Sequence, residues 1–379
     1  MNVFMNQVIY ADNAATTRLD QQALTEMYPW LESEFGNASQ PYSFARNPKK
    51  AVKEARTVIA ECIGALPEEI LFTSGGTESD NWALKAIDSR EGKTGIVTSS
   101  IEHHAILNSC EWLRKNGCPV HYADVDRYGL VPLITLDKTI DTNTNLVSIM
   151  FANNEIGTIE PVAEIAQLSH DRGALFHTDA VQAVGHVPID VNAMGIDLLS
   201  ASAHKFNGPK GIGFLYVKEG VPIHPLIHGG SQETGLRAGT ENVAGIVGMA
   251  KALEINCHEM EKTTQKLRIL ENTLIQALND EGIDYIRNGA DNRLPGNVNI
   301  SIRDASGEML LHRLDLMGIM ISTGSACDSK NTQISHVIEA IKVPKEYAEG
   351  TIRVSFGRHN TEEDAVAIVK AIAKVIKTK

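Results

Sequence analysis

The sequence predicts an α/β fold built on a mostly parallel sheet. Strand-like and helix-like patterns alternate from about residue 48 to residue 250, as they do when crossover helices join parallel strands. The polar, chemistry-bearing runs stand just after the strand-like ones, where ligands of open α/β sheets bind. With 379 residues the chain is long enough for two cores, since domains hold about 100–200 residues.

Residues 49–64 read as a helix, with Val52, Ala55, Ile59 and Cys62 or Ile63 on one face. Residues 70–73 read as a strand, as do 95–98 and 146–151. Residues 161–172 read as a helix opening on Pro161, a position that needs no N–H. Residues 174–179 form a strand that ends in Asp179. Apolar Ile196, Leu198 and Leu199 lead into Ser200-Ala-Ser-Ala-His-Lys205, and Gly208-Pro-Lys-Gly-Ile-Gly213 turns the chain into a strand at 214–217. The helical pattern at 241–280 is nearly continuous, with Leu267, Leu270, Leu274 and Leu278 three or four apart. A helix of that length reads as a bridge between domains. Strand-like runs at 296–301 and 351–356 follow, and Thr361-Glu-Glu-Asp364 opens a final helix as a capping box.

Composition narrows the class. Apolar content of 43% and charged content of 22% are those of a soluble globular protein. A net charge of −12 argues against a surface that coats nucleic acid. No apolar run approaches the ~20 residues that cross a bilayer, and the amino terminus lacks the basic and apolar regions of a signal peptide. The five cysteines are odd in number and show no paired spacing, which predicts reduced thiols and a cytoplasmic protein. Cys62, Cys110, Cys118 and Cys257 fall in helix-like patterns and read as core or helix-face residues. No Cys/His group has zinc-ligand spacing, since His103 and His104 are adjacent rather than four apart, so no metal is expected.

Six motifs carry chemistry. Lys205 and Asp179, each at a strand end, suit pyridoxal phosphate: a lysine forms the Schiff base and an acid keeps the pyridine nitrogen protonated. Ser74-Gly-Gly-Thr-Glu-Ser79 follows a strand and opens a helix, a junction that binds phosphate, although a helix cap with two turn glycines uses the same residues. Glu102-His103-His104 places a ring able to exchange protons near neutrality at another strand end; taken alone, a polar loop histidine is the simpler account. Asn153-Asn154-Glu155 could hydrogen-bond a ring hydroxyl or simply make a turn. Cys327 lies in the small, polar run Ser322-Thr-Gly-Ser-Ala-Cys-Asp-Ser329, so it reads as an exposed loop thiol and a candidate nucleophile. Arg353 would clamp a carboxylate or face solvent from a strand edge.

The ordered series of motifs resembles the group I cysteine desulfurases (NifS/IscS type) of the class V aminotransferase superfamily. The likeness runs nearly end to end. It is carried by Tyr10-Ala-Asp-Asn-Ala-Ala-Thr-Thr17, Phe72-Thr-Ser-Gly-Gly-Thr-Glu-Ser-Asp-Asn81, Glu102-His-His-Ala-Ile-Leu107 and Asn153-Asn-Glu-Ile-Gly157. It continues in His177-Thr-Asp-Ala-Val-Gln182, Ser202-Ala-His-Lys205, Arg237-Ala-Gly-Thr240, Gly324-Ser-Ala-Cys327 and Ile352-Arg-Val-Ser-Phe-Gly357.

The resemblance implies a PLP-dependent transferase of fold type I. Its large α/β domain (15–255) would hold a mostly parallel seven-stranded sheet, and a smaller α+β domain (1–14 and 256–379) would carry the cysteine loop. It implies that Lys205 holds pyridoxal phosphate, Asp179 pairs with the pyridine nitrogen and His103 stacks on the ring. Gln182 and Asn154 would contact the ring hydroxyl and the substrate side. Gly76, Thr77, Ser202 and His204 would bind the phosphate, with Thr240 reaching in from the second subunit of a homodimer. Arg353 would hold the carboxylate of the L-cysteine substrate. Cys327 would take the sulfur as a persulfide for a protein acceptor in iron–sulfur cluster assembly or tRNA thiolation, leaving L-alanine. Selenocysteine lyase, another class V aminotransferase, or a non-catalytic sulfur carrier on the same fold are the competing readings. Two departures bear on the acceptor: residues 36–46 lack the usual Pro-Ser-Ser, His and Gly, and the sequence stops soon after its last helix.

Overall fold

The computed structural model describes residues 8–87, 90, 92–323 and 334–377. The chain begins with β1 (Ile9–Tyr10), α1 (Gln21–Glu32) and α2 (Arg46–Ile63). An alternating stretch follows: β2 (Ile70–Thr73), α3 (Gly76–Lys85), β3 (Gly95–Ser99), α4 (His104–Lys115), β4 (Val120–Ala123) and α5 (Leu133–Thr139). It continues through β5 (Thr144–Ser148), α6 (Val162–Asp171), β6 (Leu175–Asp179), β7 (Leu198–Ser202) and β8 (Gly213–Val217). The long α7 (Val243–Asp280) leads to β9 (Tyr285–Arg287), β10 (Asn297–Ile302), α8 (Gly307–Asp315) and β11 (Ile319–Met320). The described chain closes with α9 (His336–Ala340), α10 (Lys345–Ala348), β12 (Thr351–Ser355) and α11 (Glu362–Lys377).

Seven strands form one sheet in the order β2-β8-β7-β6-β5-β3-β4, in which β8 runs against its two neighbours and every other pairing is parallel. Side chains alternate across a strand, and here both faces are apolar. Phe72, Val97, Val147, Phe176, Leu199 and Phe214 join one core, and their sequence neighbours Leu71, Ile96, Leu146, Leu175, Leu198 and Leu215 join another on the opposite face. Burial on both faces is what a parallel sheet covered by crossover helices requires. A separate core packs the antiparallel sheet β12-β10-β9 against α8, α11 and the second half of α7. Helix α7 serves both: Ile246, Met249 and Leu253 enter the first core, and Leu267, Leu270, Leu274 and Leu278 enter the separate one.

Three details differ from the sequence reading. Cys118 is not helical, because α4 ends at Lys115 and Gly117 takes φ +91 to turn the chain toward β4. Pro161 stands just ahead of α6, at ψ 71, rather than as its first residue. Strand β5 ends at Ser148, yet the chain beyond it keeps pairing, since the N–H groups of Ile149 and Phe151 donate to the carbonyls of His177 and Asp179.

Candidate active site

Because the parallel strands share one direction, their carboxyl ends meet on one edge of the sheet. Register aligns Asp179 with Ser200, and both Thr73 and Ser202 with Gly213. Lys205 follows on the short turn Ala203–Lys205. Its Nζ donates to the carbonyls of Ala14 and Ala15 at 2.7 and 2.9 Å, and Gln182 Nε2 donates to the same Ala14 oxygen at 2.9 Å. The turn itself is clamped. Thr17 N–H and Oγ1 donate to the His204 carbonyl, His186 Nε2 bonds that of Lys205 at 2.9 Å, and Asn256 Nδ2 bonds that of Phe206 at 2.6 Å.

Asp179 is buried, and Oδ1 accepts Val181 N–H at 2.9 Å. Burial pushes its carboxyl above the usual range, against the opposing pull of His103, the Val181 N–H and Lys205. His103 caps α4: its Nδ1 accepts Ala105 N–H at 3.1 Å, which leaves Nε2 as the edge able to carry a proton. Burial lowers the His103 pKa, which favours the neutral ring. Polar atoms of Asp80, His103 and Asp179 lie within 4.8 Å of one another.

The strand-to-helix junction at α3 forms a cleft of roughly 350 Å³ with Gly76, Thr77, Ser202 and His204 among its lining residues. Glycine is required here: Gly75 adopts φ +146, and a Cβ on Gly76 would meet Val181 Cγ2 at 2.5 Å. Free N–H groups at the start of a ten-residue helix favour an anion. His204 Nδ1 bonds Thr16 Oγ1 at 3.1 Å, and burial, then the charges of Lys205 and Lys210, push its pKa down to about 4. Burial opposes ionisation of Glu78, but Arg237 at 2.9 Å and the Ser74 N–H outweigh it and hold the carboxyl below its usual range.

Arg353 is buried on β12, not turned to solvent. Its Nη2 donates to Asp12 Oδ1 and its Nη1 to the Asn154 carbonyl, both at 2.7 Å, while Nε–H has no partner among the described residues. Asn154 is thus held beside Arg353 by its backbone. Thr240 is exposed and does not line the cleft of its own protomer. Cys327 lies outside the described residues. The chain on either side of its segment is tied down: Ser322 pairs with Arg353 across strands, Ser335 Oγ donates to Glu155 Oε2 at 2.6 Å, and His336 Nε2 bonds the Glu102 carbonyl at 3.1 Å.

Sequence reasoning did not assign roles to Asp12, Asp80, Glu155, His186 or His336. Asp12, Asp80 and Glu155 lie inside quoted motifs, so an acid within a motif was the available signal; for His186 and His336 there was none. Taken together, a lysine beside a buried acid, a neighbouring imidazole and a glycine-lined anion cleft fit a phosphorylated pyridine aldehyde.

Comparison with known proteins agrees. Residues 9–368 match the aminotransferase class-V family, whose members depend on pyridoxal phosphate. The chain is 48% identical over 376 residues to cysteine desulfurase IscS of Dictyoglomus turgidum, covering 98% of this chain and 95% of that protein. It is 49% identical over 378 residues to cysteine desulfurase IscS of Clostridium botulinum, with the same coverage. Among solved structures, a NifS-like protein superposes with a TM-score of 0.93 at 38% identity, covering 98% of this chain and all of that one. SspA in complex with cysteine superposes with a TM-score of 0.83 at 36% identity, covering 93% of this chain and all of that one. With its sheet order, its clustered strand-end residues and these full-length likenesses, the chain belongs to the class V aminotransferase family, among the cysteine desulfurases of the NifS/IscS type.

Proposed function

We propose that this protein is a pyridoxal-phosphate-dependent cysteine desulfurase: it takes sulfur from L-cysteine, leaves L-alanine and carries the sulfur as a persulfide on Cys327. The observation that carries the reading is the grouping of buried Asp179 with half-buried His103 and Lys205 at the carboxyl edge of the sheet. When bound, the cofactor supplies an electron sink for the pair left on the substrate Cα. Asp179 would pair with the ring nitrogen, His103 would stack on the ring, Gln182 and Asn154 would contact its hydroxyl side, and Gly76, Thr77, Ser202 and His204 would hold the phosphate. Arg353, already oriented by Asp12, grips the substrate carboxylate with two N–H groups. As a free amine, Lys205 Nζ would take the Cα proton and return it to Cα. The Cys327 thiolate attacks the substrate Sγ; the new S–S bond forms as the Cβ–S bond breaks, and Cβ takes up the proton that the Cys327 thiol gave up. L-Cysteine and the thiol thus become L-alanine and the persulfide, with no external oxidant.

The persulfide sulfur passes to a protein acceptor, an iron–sulfur scaffold or a tRNA-thiolation protein, and trapping persulfide-linked acceptors in the native cell tells which. A homodimer with Thr240 completing the partner's phosphate site fits the exposure of that residue. The separate cores support a division into a large domain (15–255) and a small one (1–14 and 256–379). No described helix is long and apolar enough to cross a membrane, and residence in the cytoplasm suits the free thiols of Cys62, Cys110, Cys118 and Cys257.

The deciding assay measures alanine released from L-cysteine with a thiol reductant present. Lys205→Ala should lose the borohydride-trapped cofactor and make no alanine. Cys327→Ser should still bind L-cysteine but release little alanine, because a hydroxyl is a poor nucleophile toward sulfur. Alanine at the wild-type rate from Cys327→Ser would sink the desulfurase reading.

A further inference from the structure

Asp80, on α3, is 1% exposed and carries a carboxyl with no compensating cation. Among the described residues it pairs with no Lys or Arg, and its Oδ1 has no hydrogen-bond partner. Its neighbours do not compensate it. His177 bonds Ser148 Oγ through Nδ1 at 2.8 Å and Ser200 Oγ through Nε2 at 3.0 Å. Burial drives the His177 pKa down to about 3, so its ring is neutral. Its Nε2 stands 3.9 Å from Asp80 Oδ1, beyond hydrogen-bond reach.

The groups facing Asp80 are His177 and Asp179 of β6, Ser200 of β7, and Glu102 and His103 before α4. Asp179 has what Asp80 lacks: an N–H bond from Val181 and the field of Lys205. Two buried carboxylates within 4.8 Å cannot both ionise cheaply, and the less compensated one keeps its proton.

We propose that Asp80 is a neutral carboxylic acid in the working protein, a positioning residue whose proton leaves Asp179 as the single negative charge of the pair. The role of that charge, facing the cofactor's ring nitrogen, rests on the function proposed above; the protonation of Asp80 does not. Burial and the neighbouring Asp179 both push the Asp80 pKa well above the usual carboxylate range, in the same direction as the geometry.

The test has two arms. In cofactor-free protein at neutral pH, the infrared difference between wild type and Asp80→Asn should contain a protonated-carboxyl C=O stretch, with Glu102 and Glu160 cancelling because both proteins carry them. In cofactor-loaded protein, Asp80→Asn keeps a neutral N–H donor of the same shape and should hold cofactor affinity within about threefold, whereas Asp80→Ser should weaken it about tenfold. Circular dichroism confirms that both variants fold. Absence of the infrared band overturns the proposal whether or not the cofactor reading stands. An affinity loss with Asn as large as that with Ser also overturns it, because a neutral isostere would then have removed a charge that mattered.

Discussion

Asp12 and Arg353 are 341 residues apart in sequence and 2.7 Å apart in the fold. Their pairing fixes a guanidinium that is 4% exposed, while its Nε–H has no partner among the described residues. Asp12→Ala should free that fork and leave a buried cation uncompensated. The Michaelis constant for L-cysteine should rise about tenfold, the loss of one charge-assisted hydrogen bond, with a smaller change in kcat. Steady-state kinetics at saturating cofactor checks it, and an unchanged constant would show that Asp12 does not orient Arg353. Residues such as Lys205 and Asp179 are legible in the sequence because a reactive group at a strand end sits beside its own local signal. The acids that tune them are not, because the partners of Asp12 and Asp80 come from distant segments and only tertiary contact gives them meaning. Arg353 shows the same limit: its type suits a carboxylate, but the choice between clamp and solvent depends on a register between β12 and Ser322 that no local pattern contains.

Among the elements, strands and long helices are legible where periodicity is strong. The boundaries of β2, β6, β8 and α7 fall within about two residues of the sequence reading. What periodicity cannot supply is what a helix face meets. On α1, Leu24, Tyr28 and Leu31 recur at helical spacing yet lie open, and Phe35 and Phe44 continue the strip with rings 5.2 Å apart. Ser39, in the same stretch, donates to Glu241 beside exposed Thr240. Exposed apolar side chains on and just after α1, in the stretch whose Ser39 reaches Glu241 beside Thr240, support the proposed homodimer. Light scattering should find a dimer, Tyr28→Asp with Phe35→Asp should weaken it, and Thr240→Ala should cost roughly 1–3 kcal/mol of cofactor binding. An active monomer would rule the shared site out.

For the whole molecule, the opposed pKa shifts of buried groups set how stability responds to pH. Burial raises Glu102 and Glu160 from 4.5 to about 8, and lowers His177 and His204 from 6.5 to about 3 and about 4. Below 4.5 both acids are protonated in either state, and the histidines govern: the unfolded chain binds more protons, so stability falls as pH falls. Between 4.5 and 6.5 the two sets oppose each other. Between 6.5 and 8 the histidines are neutral in both states, while the native acids still hold protons that the unfolded chain has released. Stability therefore falls as pH rises through that window, by up to about 1.4 kcal/mol per unit for each acid. Glu102 isolates one share of that slope. Its Oε1 accepts the Ser99 hydroxyl at 2.7 Å and the Met150 N–H at 2.9 Å, while Oε2 is buried with no partner among the described residues. Glu102→Gln keeps both accepted bonds and replaces the protonated acid by an amide that cannot ionise. Its thermal midpoint should lie close to wild type at pH 6.5 and above it at pH 8, with a visibly flatter decline between. Parallel declines in the two proteins would mean that Glu102 is ionised in the native fold.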